Sequence, residues 1–92
     1  MKTIWKFKVF TLIDSRGSVD MPKGAKILSI GLQEDDVCIW ALIDTKNKSK
    51  LIKRQFRLFG TGWEIKEPLK NLNYIGTVFM QTFVWHIFEE LK

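Results

Sequence analysis

A mainly β chain is what this sequence predicts: a small single-domain sandwich or barrel of about six or seven short antiparallel strands, with little helix. Three observations lead there. Apolar residues recur with a period of two rather than 3.6. The apolar segments are rich in β-branched and aromatic residues, which suit a pleated surface. Short clusters of Gly, Pro, Asp, Asn and Ser separate them at hairpin spacing.

Each element follows from the same reasoning. In "TIWKFKVFTLI", Trp5, Phe7, Val9 and Ile13 share one face and Lys6 and Lys8 the other. "DSRGS" breaks the run and reads as a hairpin turn. Pro22 and Gly24 mark a bend before a strand at about 26–33, and "EDD" is a second turn. "VCIWALI", Val37 to Ile43, is apolar on both faces, as a central strand covered on both sides should be. "DTKNKSK" reads as a polar, flexible connection. "LIKRQFRLF" resumes alternation, with Phe56 and Leu58 opposite Arg57 and Phe59. "EIKEPLKNLN" is a loop with at most one helical turn. "YIGTVFM" and "TFVWHIFEEL" are two strands joined tightly at about Gln81. Glu89, Glu90 and Leu91 favour a terminal helix at 83–92, but "TFVWHIF" is β-branched and aromatic throughout and predicts a strand.

Composition narrows the function classes. The 92 residues are 46% hydrophobic and 13% aromatic, with four tryptophans and seven phenylalanines. So many large rings exceed what one small core hides, so some belong at an interface or in a pocket. One cysteine, Cys38, leaves no partner for an intramolecular disulfide and no cysteine-based zinc site. The opening "MKTIWKFKVF" lacks the continuous apolar core of a signal peptide, and the reading is cytoplasmic. No apolar run is long enough to span a bilayer, so no membrane partner is expected. A net charge of +5 suits an anionic partner.

The sequence offers little for catalysis. His86 is the sole histidine, which excludes a two-histidine metal site. Asp35–Asp36 and Glu89–Glu90 are adjacent pairs whose side chains point to opposite faces of a strand. No enzymatic activity, cofactor or metal is expected. The features that remain suit binding. "GTG" at 60–62 is either a plain turn permitting positive φ or a turn whose N–H groups and Thr61 hydroxyl cradle an anion. His86 is either a satisfied half-buried histidine or the wall of a pocket. Lys46, Lys48, Lys50, Lys53, Arg54 and Arg57, uninterrupted by acid, are either a solvated edge or an anion-facing rim leading into the glycine turn.

"MKTIWKF", "MPKGAKIL", "CIWALID", "FRLFGTG", "YIGTV" and "VWHIFEE", in order along nearly the whole chain, resemble a family of small phage-encoded proteins filed as a domain of unknown function. That family is similar to the nucleotide sponges of the fourth anti-CBASS class, which sequester cyclic nucleotide immune signals without cleaving them. The resemblance implies a homo-oligomer, a tetramer by expectation, acting in the host cytoplasm during infection, with an intersubunit pocket for a dinucleotide-like ligand. Carried over by position, Gly60, Thr61 and Gly62 would hold phosphate. Trp5 would stack on a base, and His86 would contact base or ribose. Arg54, Arg57 and Thr77 would assist. Relatives carry histidine and proline after "GTG", where this chain has Trp63 and Glu64, so Trp63 would lie beside the phosphate. They also have a glycine-rich hairpin where this chain has "MQT". Which nucleotide binds stays open. Two other readings stand beside the sponge: a basic nucleic-acid-binding accessory protein, and an inhibitor that binds a host defence protein through its surplus aromatics.

Overall fold

The computed structural model describes residues 1–11, 15–80 and 82–91. Seven strands dominate: β1 (Lys2–Thr11), β2 (Arg16–Pro22), β3 (Lys26–Gln33), β4 (Asp36–Asp44), β5 (Leu51–Gly60), β6 (Leu72–Met80) and β7 (Phe83–Glu90). The mainly β class is the one expected, and 83–90 is strand rather than helix. All pairings are antiparallel. They build a three-stranded sheet in the order β1-β4-β3 and a four-stranded sheet in the order β2-β5-β7-β6.

The core lies between the sheets. Val37, Ile39, Ala41 and Ile43 of β4, at most 2% exposed, meet Met21, Phe56, Leu58, Val78 and Ile87 from the second sheet. β4 is thus the middle strand that its two-sided apolar sequence requires. The smallest dimension, 18 Å, matches two sheets about 10 Å apart plus their outer side chains. Truncating a core ring such as Phe56 to Ala would cost about 3–5 kcal/mol.

β1 runs beside β2 and β3 beside β6, yet no ladder joins either pair among the described residues. The result is a flattened barrel with two unzipped seams. Bulges explain the β3–β6 seam: the register slips between Ile27 and Ser29 in β3 and between Tyr74 and Gly76 in β6. Each bulge bends its edge and interrupts pairing. Gly76 lies on this seam because a Cβ there would sit 2.5 Å from Cγ2 of Ile30.

Two expectations need correction. "DSRGS" is not a hairpin turn, because Arg16, Gly17 and Ser18 belong to β2, while Asp14 lies outside the described residues. β1 and β2 are not ladder partners either; β1 pairs with β4 and β2 with β5, so the chain crosses between sheets here. The tight joint near Gln81 falls outside the described residues, although Met80 and Phe83 on either side are paired. The polar connection after β4 folds into one turn of 3-10 helix, Thr45–Asn47. The Asp44 carboxylate accepts from the Lys46 N–H at 3.1 Å, and this bond lowers its pKa. Asn47 donates to the Lys23 carbonyl at 3.1 Å. One helical turn, Leu69–Asn71, interrupts the loop before β6, as the sequence suggested.

Candidate functional site

Alternation along β5, β6 and β7 decides which side chains meet. Ile87 points into the core, so Val84, His86 and Phe88 point outward. Across the ladders, His86 lies opposite Phe59 on β5 and Thr77 on β6. The outward face of the four-stranded sheet therefore sets Thr77 and His86 side by side on the neighbouring strands β6 and β7, and the turn after β5, 25 residues before His86, adds Thr61.

These residues form one hydrogen-bonded row. Thr61 Oγ1 lies 2.7 Å from His86 Nε2, and Thr77 Oγ1 lies 3.1 Å from His86 Nδ1. Tyr74 closes the far end through its hydroxyl on Thr77. With a neutral imidazole, four donor hydrogens serve three hydrogen bonds. One donor hydrogen is left over: on Thr61 when His86 Nε2 carries the ring proton, and on Tyr74 or Thr77 when Nδ1 carries it. An acceptor placed against Thr61 would select the first tautomer.

The glycine turn has a plain structural basis. Gly62 has φ +89°, and the Trp63 N–H donates to the Gly60 carbonyl at 3.0 Å, closing a four-residue turn. The Thr61 N–H donates to the Val84 carbonyl at 3.3 Å. Two of three consecutive amides are thereby occupied, which leaves the Gly62 N–H without a partner, while the Thr61 hydroxyl, bonded to His86 Nε2, has a hydrogen to offer only when that nitrogen is the donor. Gly60 serves packing: a Cβ there would lie 2.8 Å from the Trp63 ring and 3.1 Å from Trp85.

That packing builds an aromatic cleft of about 490 Å³ next to the row. Trp63 meets Trp85 edge-on at 5.5 Å between ring centres, and Phe83 stacks on Trp85 at 5.7 Å. Trp63 is 53% exposed and Phe83 55%. Trp85 Nε1 is buried without a hydrogen-bond partner, which is uncommon for a donor. Alternation puts Phe83 and Trp85 on the core-facing side of β7 and His86 on the outward side, and Thr61, at the end of the sheet, both lines the cleft and ends the polar row.

The other expected residues lie elsewhere or are already engaged. Arg57 faces outward but is 12% exposed, with Nη1 2.9 Å from Glu67 Oε1 and its guanidinium 4.8 Å above the Phe59 ring. Its hydrogen bond holds the Glu67 carboxyl below the usual range. Arg54 faces inward and grips Glu89 at 2.6 and 2.8 Å, while its Nη1 donates to the Ala25 carbonyl at 2.7 Å. That bonding to Glu89 raises the guanidinium pKa. Trp5 lies opposite Ala41 in the other sheet, on its core-facing side, beside Phe7. It cannot reach His86 within one chain. The lysines from Lys46 to Lys53 do not lead into the glycine turn: Lys53 precedes Gly60 by seven strand residues, about 23 Å.

Sequence reasoning missed Tyr74, Phe83 and Trp85. Period-two alternation could have found Tyr74, since it shares an outward face with Thr77 once the bulge at Ile75 is allowed. Cys38 is 2% exposed, and burial pushes its thiol pKa up. Among the described residues, no three His, Cys, Asp or Glu are grouped to hold a metal ion, and no helix is long and apolar enough to cross a membrane. Neither the curated proteins nor the solved structures include a match to this chain. A family pattern does match from end to end, over residues 1–92: the chain belongs to the family described as a domain of unknown function, DUF7352.

Proposed function

We propose that the chain is a non-catalytic phage immune-evasion protein that binds a cyclic or related nucleotide signal and sequesters it in the host cytoplasm. One observation carries the reading: Thr61 joins an exposed aromatic cleft to a hydrogen-bonding row that has a donor hydrogen to spare. A nucleotide has the complementary chemistry. Its base would lie against Trp63 and Phe83, and its phosphate or ribose oxygens would accept from Thr61, the Gly62 N–H and the His86 row. The sequence resemblance supports the same class of ligand. Arg54 and Arg57 take structural roles in this reading.

Affinity argues for more than one copy. A stoichiometric trap must work near nanomolar, about 12 kcal/mol, whereas stacking supplies about 1–3 kcal/mol per base. One cleft holds too few rings, so a homo-oligomer that brings two clefts to one ligand is the economical arrangement. The single chain exposes 6142 Å², above the roughly 5,500 Å² that scaling gives for a monomer of this mass. Phe79, 71% exposed on the outward face that carries Thr77 and His86, is surface that such an assembly would cover.

The test is a ligand panel on purified protein: cyclic dinucleotides, cyclic trinucleotides and cyclic ADP-ribose isomers, read by thermal shift and native mass spectrometry. A ligand that binds only the folded state must raise the melting temperature. Sequestration predicts that one species does so and is recovered intact after heating. A panel with no shift, or a ligand recovered cleaved, overturns the proposal.

A further inference from the structure

The outward face of the three-stranded sheet is a second chemical surface, unrelated to the row and cleft. Alternation places Lys2, Ile4, Lys6 and Lys8 of β1 on it, next to Leu42, Trp40 and Cys38 of β4 in register. Beyond β4, Ser29 lies opposite Trp40, Gly31 opposite Cys38 and Lys26 opposite Leu42 on β3. The lysines are exposed and Trp40 is half-buried.

Trp40 has a particular posture. Its Cζ3 lies 3.6 Å from where a Cβ of Gly31 would sit, so the indole leans across β3 over a position with no side chain. Leaning over the sheet in this way, the indole keeps part of its surface open to solvent. Lys6 is the cross-strand partner of Trp40, and Lys8 follows two residues on, about 7 Å along the strand. Among the described residues, Lys6, Lys8 and Lys26 have no carboxylate within ion-pair distance; Lys6 donates to the Gln33 side chain instead. Asp44, at the Lys2 end, is taken by the N-terminus and Lys46, and Glu34 and Asp36 line the same hollow as Lys6 and Lys8 without coming within ion-pair distance of them.

We infer that this face binds single-stranded nucleic acid, with Trp40 as a stacking platform and Lys6, Lys8 and Lys26 tracking the phosphates. Sequence-tolerant single-strand binders combine these two features, a cationic track and an aromatic ring for the bases. Guarding the exposed edge of β1 would explain lysines on that strand. It does not call for a half-buried indole between them and Lys26. The surface lies on the opposite side of the core from Thr61 and His86, so this inference and the proposed nucleotide site stand or fall separately.

The experiment is fluorescence anisotropy with a labelled short oligothymidylate, over a salt series. Wild type, Lys6→Glu/Lys8→Glu, Trp40→Leu, Lys48→Glu/Lys50→Glu and Thr61→Arg would be compared, with melting curves to verify folding. Binding should weaken at least about tenfold in Lys6→Glu/Lys8→Glu and stay within about twofold in Thr61→Arg. Each phosphate contact contributes about 0.7 to the slope of log affinity against log salt, so loss of two should flatten it by about 1.4. Because both lysines are exposed, this variant decides the matter even if Trp40→Leu fails to fold. Absence of oligonucleotide binding by wild type would overturn the inference. So would loss confined to Lys48→Glu/Lys50→Glu, or binding only to anionic lipid vesicles run as a parallel arm.

Discussion

Replacing Glu89 by leucine should be among the most damaging single changes in the chain, and replacing Arg54 as well should largely undo the damage. Glu89 lies on the core-facing side of β7, 8% exposed, and both its oxygens are held by Arg54 at 2.6 and 2.8 Å. Removing the carboxylate leaves a guanidinium whose remaining partner is the Ala25 carbonyl. Breaking a buried pair in this way costs about 3–5 kcal/mol. The Arg54 side chain keeps 22% of its surface and can recruit water, so the lower end, about 3 kcal/mol, is expected. At about 4–8 °C per kcal/mol, the melting temperature should fall by about 12–24 °C. Arg54→Met/Glu89→Leu replaces both charges with apolar groups of similar volume and should return to within about 1 kcal/mol of wild type. Urea unfolding followed by tryptophan fluorescence, arranged as a double-mutant cycle, measures the coupling. Single costs below about 1 kcal/mol, or costs that simply add, would refute the reasoning. The double variant also bears on the site, because Arg54 lies six strand residues from Gly60, about 20 Å away. It should bind nucleotide as wild type does.

Other perturbations follow from the same geometry. Gly76→Ala drives a Cβ against Cγ2 of Ile30 at the β3–β6 seam and should cost about 1–3 kcal/mol in urea unfolding; a neutral result would mean the seam is looser than described. Gly60→Ala should displace the Trp63 ring from Trp85, removing an edge-on contact of about 0.5–1.5 kcal/mol. Tryptophan emission should shift red and nucleotide binding should weaken; an unshifted spectrum would contradict the packing. Arg57 lowers the Glu67 pKa from its ordinary value of 4.5, so this ion pair stabilises the fold fully above pH 4.5 and loses its effect as pH falls through the lower folded value. The difference in melting temperature between wild type and Glu67→Gln should be constant near neutrality and shrink in acid; a difference that grows in acid would reverse the sign. His86→Phe keeps an aromatic ring on the outward face but leaves Thr61 and Thr77 without their shared partner, so it should abolish nucleotide binding at a stability cost of about 1 kcal/mol. Unchanged binding would remove His86 from the site.

The fold class was legible because period-two patterning is local, and β4 and β7 declare themselves through residues that touch in sequence. β2 was not legible: Gly17, Ser18 and Asp20 hide the inward pair Val19 and Met21, and a short strand with two small residues reads as turn. Nothing local reveals that β1 joins a different sheet from β2, since long-range pairing fixes that choice. Thr61, Thr77 and His86 were singled out separately, and the ladders bring them together. The arginines were harder, because their partners Glu67 and Glu89 lie 10 and 35 residues away. A signal existed: alternation puts Glu89 on the same face as Ile87, and a carboxylate on an apolar face requires a cation. The basic rim misled because adjacency in sequence becomes distance along an extended strand.

The central claim is that the aromatic cleft and the hydroxyl–imidazole row form one ligand site joined at Thr61. The most direct measurement is an amide and indole N–H chemical-shift map of the isotopically labelled protein, titrated with whichever cyclic nucleotide the panel selects. Shifts should concentrate at Gly60–Trp63, Thr77, residues 83–87 and the Trp63 and Trp85 indoles, with Trp40 unmoved. Shifts centred on Trp40 and the β1 lysines, or on the lysines from Lys46 to Lys53, would contradict it.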